Sequence, residues 1–258
     1  MMYNYEHMKN EYRSMLDPLK EGFFSSELTC MPITVGDQYK ESPIRLMYVG
    51  RAVNGWNNVW QKGTTEQLVE QVFERTQDMS VIMQGIVKYQ KNGEDCEYNY
   101  NRSPFWQLCR RLLSQYEIRE NWANHVAWTN LFKVSYSEAG NPNVKLIKQT
   151  IDSCSKILFY EVFCEMPTHI VFVTDEWWIR PEINGVSRTA FLDSLGIEIC
   201  NNSNDGIIVG SGVLRNEYFD FPASPRPKYV ITRRPETAKM SRAEHAAAIK
   251  RAFETIEG

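Results

Sequence analysis

Short apolar segments alternate with longer amphipathic segments along most of this chain. The apolar segments are residues 44–49 (IRLMYV), 125–134 (HVAWTNLFKV) and 169–174 (HIVFVT), then EIC and GIIVGSG as one or two short strands, and finally KYVITRRPE. Short, nearly continuous apolar runs are typical of strands buried on both faces, and their alternation with helices is typical of a parallel sheet. The sequence therefore predicts a three-layer α/β/α fold with a mostly parallel central sheet.

Helical periodicity and end signals place helices between these strands. The pattern predicts helices over residues 5–20, 64–77, 80–90, 104–116, 144–165 and 242–256, with a polar, turn-rich insert at 91–101. Ser103 and Pro104 suit the cap and the first position of the helix that they begin. Asn143 can cap the long helix after it, and Ser241 with Glu244 has the spacing of a capping box.

The length of 258 residues suits one large α/β domain. We expect residues 44–256 to form its core and residues 1–43 to form an N-terminal helical and loop extension. No apolar run approaches the roughly 20 residues that a membrane span needs. The polar N-terminus, MMYNYEHMKNEYRSML, does not resemble a signal peptide. The expectation is a cytoplasmic protein without membrane contact.

Cysteine spacing and charge exclude several classes of site. The six cysteines include no CxxC pair and no nearby histidine at metal-site spacing, so we expect reduced thiols, no metal cluster and no cofactor. The net charge of -3 gives no overall electrostatic footprint for nucleic acid. Residues 226–242 hold six Lys or Arg and one Glu, which suits either a local contact with a phosphate backbone or a solvated basic face.

Polar segments follow three of the predicted strands. They are residues 50–56, 129–133 and 232–236. Ligands of parallel α/β sheets bind outside the carboxyl ends of the strands. The sequence therefore places its candidate site at that edge of the sheet.

These segments resemble the motifs of the uracil-DNA glycosylase superfamily, in particular its shorter microbial branches. In that family a strand leads into a glycine-containing motif, a later strand carries a TN-hydrophobic-hydrophobic-K segment, and a last strand leads into His-Pro before a helix. Here VGRAVNGW, WTNLFK and VITRRPE occur in that order, and the linking segment is similar at Cys154, Leu158, Glu161, Pro167 and Ile170. The resemblance covers about residues 44–256. It implies a DNA glycosylase-like protein with DNA or a nucleobase as its ligand.

The first motif departs from the family at the residues that do chemistry. Several branches carry a carboxylate at the positions of Arg51 and Ala52, neither of which can act as a base. Asn54 is the nearest group able to orient a water molecule, although Asn54-Gly55 is equally well suited to a simple tight turn. Trp56 follows this turn, which makes it the preferred base-stacking residue among the aromatic candidates. These candidates are Trp56, Phe105, Trp106, Trp177 and Trp178, most of which are expected in core or rim packing.

The other two motifs supply an amide and cations. Asn130 matches the asparagine that recognises the base in the family, with a hydrogen bond to backbone at the strand end as the plain alternative. Lys133 suits a phosphate contact, although a solvated lysine is the simpler expectation. Arg234 stands where the family has histidine, and its guanidinium can hold an anion or a surface carboxylate but is a poor proton donor. Gly50, Arg51, Gly55 and Arg233 complete the predicted substrate-binding set.

Three functions remain open from the sequence. The first is hydrolysis of the N-glycosidic bond of a damaged base, with Asn54 and Arg234 as the catalytic residues. The second is a chemically silent protein that binds a nucleobase, a nucleotide or single-stranded nucleic acid in the same pocket. The third is an unrelated α/β hydrolase, for which the chain lacks G-x-S-x-G, a Walker A loop and HExxH. The sequence does not set the oligomeric state.

Overall fold

The computed structural model describes residues 5–22, 28–52, 64–74, 79–91, 94–136, 141–175, 182–183, 186–187, 189–199, 206–219 and 225–257. The strands are β1 (Leu28–Cys30), β2 (Thr34–Val35), β3 (Leu46–Ala52), β4 (Ile86–Lys91), β5 (Glu94–Asn99), β6 (Val126–Phe132), β7 (Val134–Tyr136), β8 (His169–Val173), β9 (Glu182–Ile183), β10 (Val186–Ser187), β11 (Ile208–Val213) and β12 (Lys228–Thr232). The helices are α1 (Tyr5–Gly22), α2 (Thr65–Glu74), α3 (Ser80–Gln84), α4 (Pro104–Ser114), α5 (Val144–Glu165), α6 (Thr189–Leu195) and α7 (Arg242–Thr255).

A mainly parallel sheet forms the centre of the molecule. Within the described residues its strand order is β11-β12-β8-β3-β6-β2. The four inner strands, β12, β8, β3 and β6, run parallel to one another, whereas β11 and β2 pair antiparallel at the two edges. The predicted parallel sheet is therefore confirmed, with antiparallel edge strands added.

Helices cover both faces of this sheet because its strands are apolar on both sides. Met47 and Val49 of β3 pack with residues of α1, α2, α5 and α6, whereas Leu46 and Tyr48 pack with residues of α4 and α7. The chain is thus a mixed α/β protein, in agreement with the predicted three-layer arrangement. No helix in the described part of the chain is both long enough and apolar enough to cross a bilayer.

The described part of residues 1–43 packs into the same core. Strand β2 pairs with β6 through Thr34 and Trp128, and β1 pairs with β7. Tyr12 of α1 is fully buried, and its hydroxyl donates a hydrogen bond of 2.9 Å to the carbonyl of Met31. Helix α1 and strands β1 and β2 therefore contribute to the core that the rest of the chain forms. Strands of two or three residues, such as β1 and β2, carry too little periodicity to be predicted.

The predicted helix over residues 80–90 is wrong in its second half. Helix α3 ends at Gln84, and Gly85 adopts a left-handed φ of 83° that a glycine accommodates without a steric penalty. The chain then forms β4, which pairs antiparallel with β5, so the predicted polar insert contains a strand. Of the EIC and GIIVGSG segments, predicted to supply one or two strands, the second forms β11, and the described residues 198–199 of the first form none.

The predicted helix caps largely agree with the structure. The Asn143 side chain accepts a hydrogen bond of 2.9 Å from the backbone N–H of Leu146. Ser241 and Glu244 form the reciprocal capping box of α7. Ser103 occupies the cap position of α4, but its hydroxyl accepts a hydrogen bond from the Tyr98 hydroxyl at 2.9 Å instead of one from the helix backbone.

Candidate functional site at the carboxyl edge of the sheet

The ends of β6, β3, β8 and β12 meet along one edge of the sheet. The chain passes from β3 to β6 on one side, then returns through α5 to β8 on the other side of β3 and continues outward to β12. The strand order therefore has its switch point between β3 and β8, which is where parallel α/β sheets bind ligands in a crevice at the carboxyl ends of the strands. Residues that follow these strands have the best access to a ligand in this fold.

Gly50 and Asn130 lie side by side at this edge. They are paired in the parallel register of β3 and β6. A Cβ atom on residue 50 would lie 2.3 Å from Asn130 Oδ1, so the amide occupies the space that only a glycine leaves open. Asn130 is 5% exposed, and its Nδ2 donates to the sulphur of Met31 at 3.2 Å. Since a thioether is a weak acceptor, this amide can exchange that contact for a stronger one with a ligand.

An aromatic ring lies over the same position. Phe105, in the first turn of α4, approaches to 3.5 Å of the Cβ position at Gly50. Its ring centroid lies 4.5 Å from that of Tyr48, whose hydroxyl donates to the Phe105 carbonyl at 3.0 Å. Phe105 is partly exposed, whereas Trp106 is 3% exposed and packs in the core against Trp128. Phe105 is therefore the aromatic candidate that the described structure places beside the amide.

Two arginines and two carboxylates lie at the end of β3 or just beyond the ends of β8 and β12. Burial and the neighbouring Arg234 guanidinium lower the pKa of Arg51 to about 10, while Asp175 and Glu236 act in the opposite direction. Arg234 forms an ion pair of 3.1 Å with Glu236, and its backbone N–H donates to Asp175 Oδ1 at 2.8 Å. The structure therefore brings Arg51 and Arg234 into one electrostatic cluster. With that pKa, Arg51 remains protonated at neutral pH.

The basic segment at residues 226–242 does not form a single surface. Lys228, at the start of β12, donates to the carbonyls of Phe253 and Ile256 at the end of α7. Arg233 and Arg234 follow the other end of the same strand, so they lie at the opposite edge of the sheet. Arg233 is exposed and its backbone N–H donates to the Ile207 carbonyl at 3.0 Å. A ligand at the carboxyl edge can reach Arg233 but not Lys228.

Lys133 is buried in the core on the α5 side of the sheet. Its ammonium donates to Thr129 Oγ1 and to the Asn130 carbonyl, both at 2.6 Å, and to Glu161 Oε2 at 2.7 Å. Lys133 and Glu161 are both 0% exposed. The expectation of a solvated lysine is wrong. A direct phosphate contact is also excluded in this conformation, because all three ammonium hydrogens have acceptors.

The remaining predictions concern the first motif and the histidines. Asn54, Gly55 and Trp56 lie outside the described residues, as do Trp177 and Trp178. His245 is the histidine nearest the end of β12, but it is fully buried, with its Nε2 2.7 Å from Thr232 Oγ1. His245 is therefore not an exposed proton donor at this edge.

Asp175 is a residue of this edge that the sequence analysis missed. It follows Val173 and Thr174 just beyond β8, so it lies beside the crevice between β3 and β8. Its sequence signal was present, because TDE follows an apolar strand in the same way as the three chosen polar segments. Glu161 was not predicted to pair with Lys133, because an ion pair between a residue at a strand end and one on a distant helix leaves no local sequence pattern.

An open cleft of about 790 Å³ lies elsewhere, between β11 and α7. Its polar groups are largely paired: Arg215 binds Glu198 at 2.5 Å, and the Tyr229 hydroxyl donates to the Glu198 carbonyl at 2.6 Å. We place the site at the carboxyl edge because an amide, an aromatic ring, cations and a carboxylate converge there. The described residues contain no group of three or more His, Cys, Asp or Glu that could hold a metal ion.

Comparison with known proteins assigns no family to this chain. No protein-family model matches the sequence, and no curated protein matches it significantly.

Proposed function

We propose that the carboxyl edge of the sheet binds a nucleobase within DNA, and that the chain is a uracil-DNA glycosylase-like protein that hydrolyses the N-glycosidic bond. The observation that carries the proposal is the Asn130 amide, which is held over Gly50 and beside the ring of Phe105. A side-chain amide offers both a donor and an acceptor to a base edge, and an aromatic ring offers a stacking surface. A base taken out of the stack needs both.

The charges along the edge support a ligand that carries phosphate. Among the described residues at the ends of β3, β8 and β12 and at the start of α7, five are cationic and three are acidic: Arg51, Arg233, Arg234, Lys239 and Arg242, and Asp175, Glu236 and Glu244. The excess of positive charge is local, because the whole chain has a net charge of -3. Guanidinium groups bind phosphate oxygens with charge-assisted hydrogen bonds, so this excess favours a nucleotide or a nucleic-acid strand over a free base.

Arg51 and Arg234 suit the stabilisation of negative charge. A base leaves the sugar with developing negative charge, and fixed cations near that position lower the barrier. Neither arginine is a proton donor near neutral pH. In this proposal Asn130 recognises the base, Phe105 stacks on it, and Arg51 with Arg234 holds the leaving base or an adjacent phosphate.

A silent binding protein is the second candidate function. It is favoured by one observation: Arg51 and Ala52 occupy the positions after Gly50 at which several branches of the family carry a carboxylate. Loss of a proton-transfer group lowers a rate by about 10²–10⁴-fold. In that case the same amide, ring and arginines bind the base without releasing it.

One experiment separates the two candidates. The protein is incubated with duplex and single-stranded oligonucleotides that carry uracil, hypoxanthine or an alkylated base, and both abasic sites and retention on a filter are measured. The enzyme predicts abasic sites that disappear in Asn130→Ala and Arg234→Ala. The binder predicts saturable retention without product, weakened in the same variants.

The matched controls are Asn10→Ala in α1 and Arg119→Ala, because both side chains are exposed and lie away from the strand ends. They should behave as the unaltered protein does. Absence of both product and retention across the panel would contradict nucleic acid as the ligand.

A further inference from the structure

Asp175 is anchored at the crevice through one carboxylate oxygen. Its Oδ1 accepts the backbone N–H of Arg234 at 2.8 Å and the hydroxyl of Thr237 at 3.2 Å. Its backbone N–H donates to the Thr232 carbonyl at 3.2 Å. Within the described residues, both hydrogen bonds to the Asp175 carboxylate go to Oδ1, and none goes to Oδ2. The carboxylate therefore has a fixed orientation with one oxygen left for a ligand or a water molecule.

The backbone also sets the position of this carboxylate. Asp175 adopts a left-handed φ of 59°, which is uncommon for a residue other than glycine. Such conformations persist where surrounding contacts hold them, and they cluster at functional sites. Here the contacts come from the segment after β12, so the ends of β8 and β12 hold the carboxylate between them.

The groups that face Asp175 come from each neighbouring element. Arg51 approaches from the end of β3, and Arg234 and Glu236 approach from the segment after β12. Thr174, immediately before Asp175, is 0% exposed and its Oγ1 has no hydrogen-bond partner among the described residues.

We propose that Asp175 is the general base that activates the hydrolytic water. This proposal rests on the hydrolase form of the proposed function. The carboxylate oxygen Oδ2 accepts a proton from a water molecule while the water oxygen bonds to C1′ of the sugar. The bond between C1′ and the base nitrogen breaks, and its electron pair leaves with the base, facing Arg51 and Arg234. The base then takes up one proton from Asp175 or solvent, so the net reaction consumes one water and yields an abasic site and a neutral base.

This role is one that an asparagine cannot fill. The residue predicted from the sequence to orient the water is Asn54, whose amide can orient a water molecule but cannot accept its proton. A carboxylate can do both, and general-base catalysis contributes about 10²–10⁴-fold to a rate. A carboxylate after β8 would thus supply the chemistry that positions 51 and 52 lack.

The first test is Asp175→Asn, because asparagine keeps an oxygen that can accept from Arg234 and Thr237. The expected result is a fall in kcat of about 10²–10⁴-fold with unchanged retention of the oligonucleotide and unchanged thermal unfolding. The acidic limb of the pH–rate profile should disappear as well. Asp152→Asn, an exposed position on α5, is the matched control and should retain the full rate and profile.

The second test is Asp175→Gly with added formate. Glycine accepts the left-handed φ of residue 175, so this variant should fold even though it loses the side-chain anchor. Formate should restore a measurable part of the rate in Asp175→Gly and none in Arg234→Ala, which a purely structural role would not produce. Activity in Asp175→Asn with an unaltered pH profile would overturn the role of Asp175 and leave the hydrolase standing. Retention without product from the unaltered protein would overturn both and leave the binding protein.

Discussion

Removal of one partner of the buried Lys133–Glu161 ion pair should destabilise the protein strongly. In Lys133→Met the Glu161 carboxylate would stay fully buried with the Thr129 hydroxyl as its remaining donor, since Glu161 Oε1 has no hydrogen-bond partner among the described residues. A charge left without its partner in a core destabilises by about 3–5 kcal/mol. Domains of this kind are stable by about 5–15 kcal/mol, so the loss would be a large fraction of the total.

The companion variants test whether the effect belongs to the pair. Glu161→Leu should destabilise by a similar amount because it leaves the ammonium with the neutral acceptors Thr129 and Asn130. The double variant Lys133→Met/Glu161→Leu should be more stable than either single one, since it leaves no buried charge. The assay is urea unfolding followed by circular dichroism, with free energies from linear extrapolation.

The pH dependence gives a second readout of the same pair. Burial raises the pKa of Glu161, while Lys133 opposes this effect. Without Lys133 the folded state should retain the Glu161 proton above pH 4.5, where the unfolded chain has released it. Lys133→Met should therefore lose further stability as the pH rises above that value. The exposed pair Arg119 and Glu117 is the control, and Arg119→Met should leave the unfolding midpoint unchanged. This reasoning would be refuted if the single variants unfold with free energies within about 1 kcal/mol of that of the unaltered protein, or if the double variant loses as much free energy as the two single variants together.

Three further predictions follow from other parts of the structure. Gly50→Ala should weaken oligonucleotide retention about tenfold or more, because the added Cβ lies 2.3 Å from Asn130 Oδ1 and displaces the amide. Burial lowers the pKa of His169 to about 4 from 6.5, so the free energy of unfolding should be unaffected by this residue above pH 6.5. It should fall by roughly 1.4 kcal/mol per pH unit as the pH drops from there towards 4. His169→Gln should remove this slope in urea titrations. Ser241→Ala should lower the free energy of unfolding by about 1 kcal/mol, since Ser241 and Glu244 form a capping box; no change in urea unfolding would contradict this.

The sheet could be predicted because its inner strands are apolar over five to seven residues and the helices between them carry clear caps. Residues 169–174 and Asn143 are examples in which a local signal suffices. The segment at 86–99 was misassigned because Ile86 and Val87 suit either a helix or a strand by composition. The deciding factor was the left-handed conformation of Gly85, which periodicity does not reveal.

The site could be predicted only in part because its geometry depends on register and on packing across elements. The strand ends indicated the edge of the sheet at which we propose the site, and the residues Gly50, Asn130 and Arg234. The sequence could not show that Asn130 lies directly against Gly50, since that follows from the pairing of β3 with β6. The sequence likewise does not reveal that Lys133 pairs with Glu161, because Glu161 lies 28 residues away on a helix.

The central claim is that the Asn130 amide contacts a base at the carboxyl edge, and the side-chain N–H signals of that residue test it most directly. The ¹⁵N-labelled protein is titrated with a short single strand that carries one uracil or hypoxanthine on a 2′-fluoro sugar, which resists cleavage. The Asn130→Ala variant assigns the signals. Asn216, which follows β11, is the internal control, because its side-chain amide already donates to the Ser194 carbonyl at 2.7 Å.

We expect saturable shifts of the Asn130 signals with the strand that carries uracil or hypoxanthine, smaller shifts with a strand that carries neither base, and no shifts at Asn216. Saturable binding of the modified strand with Asn130 signals that do not move would contradict it.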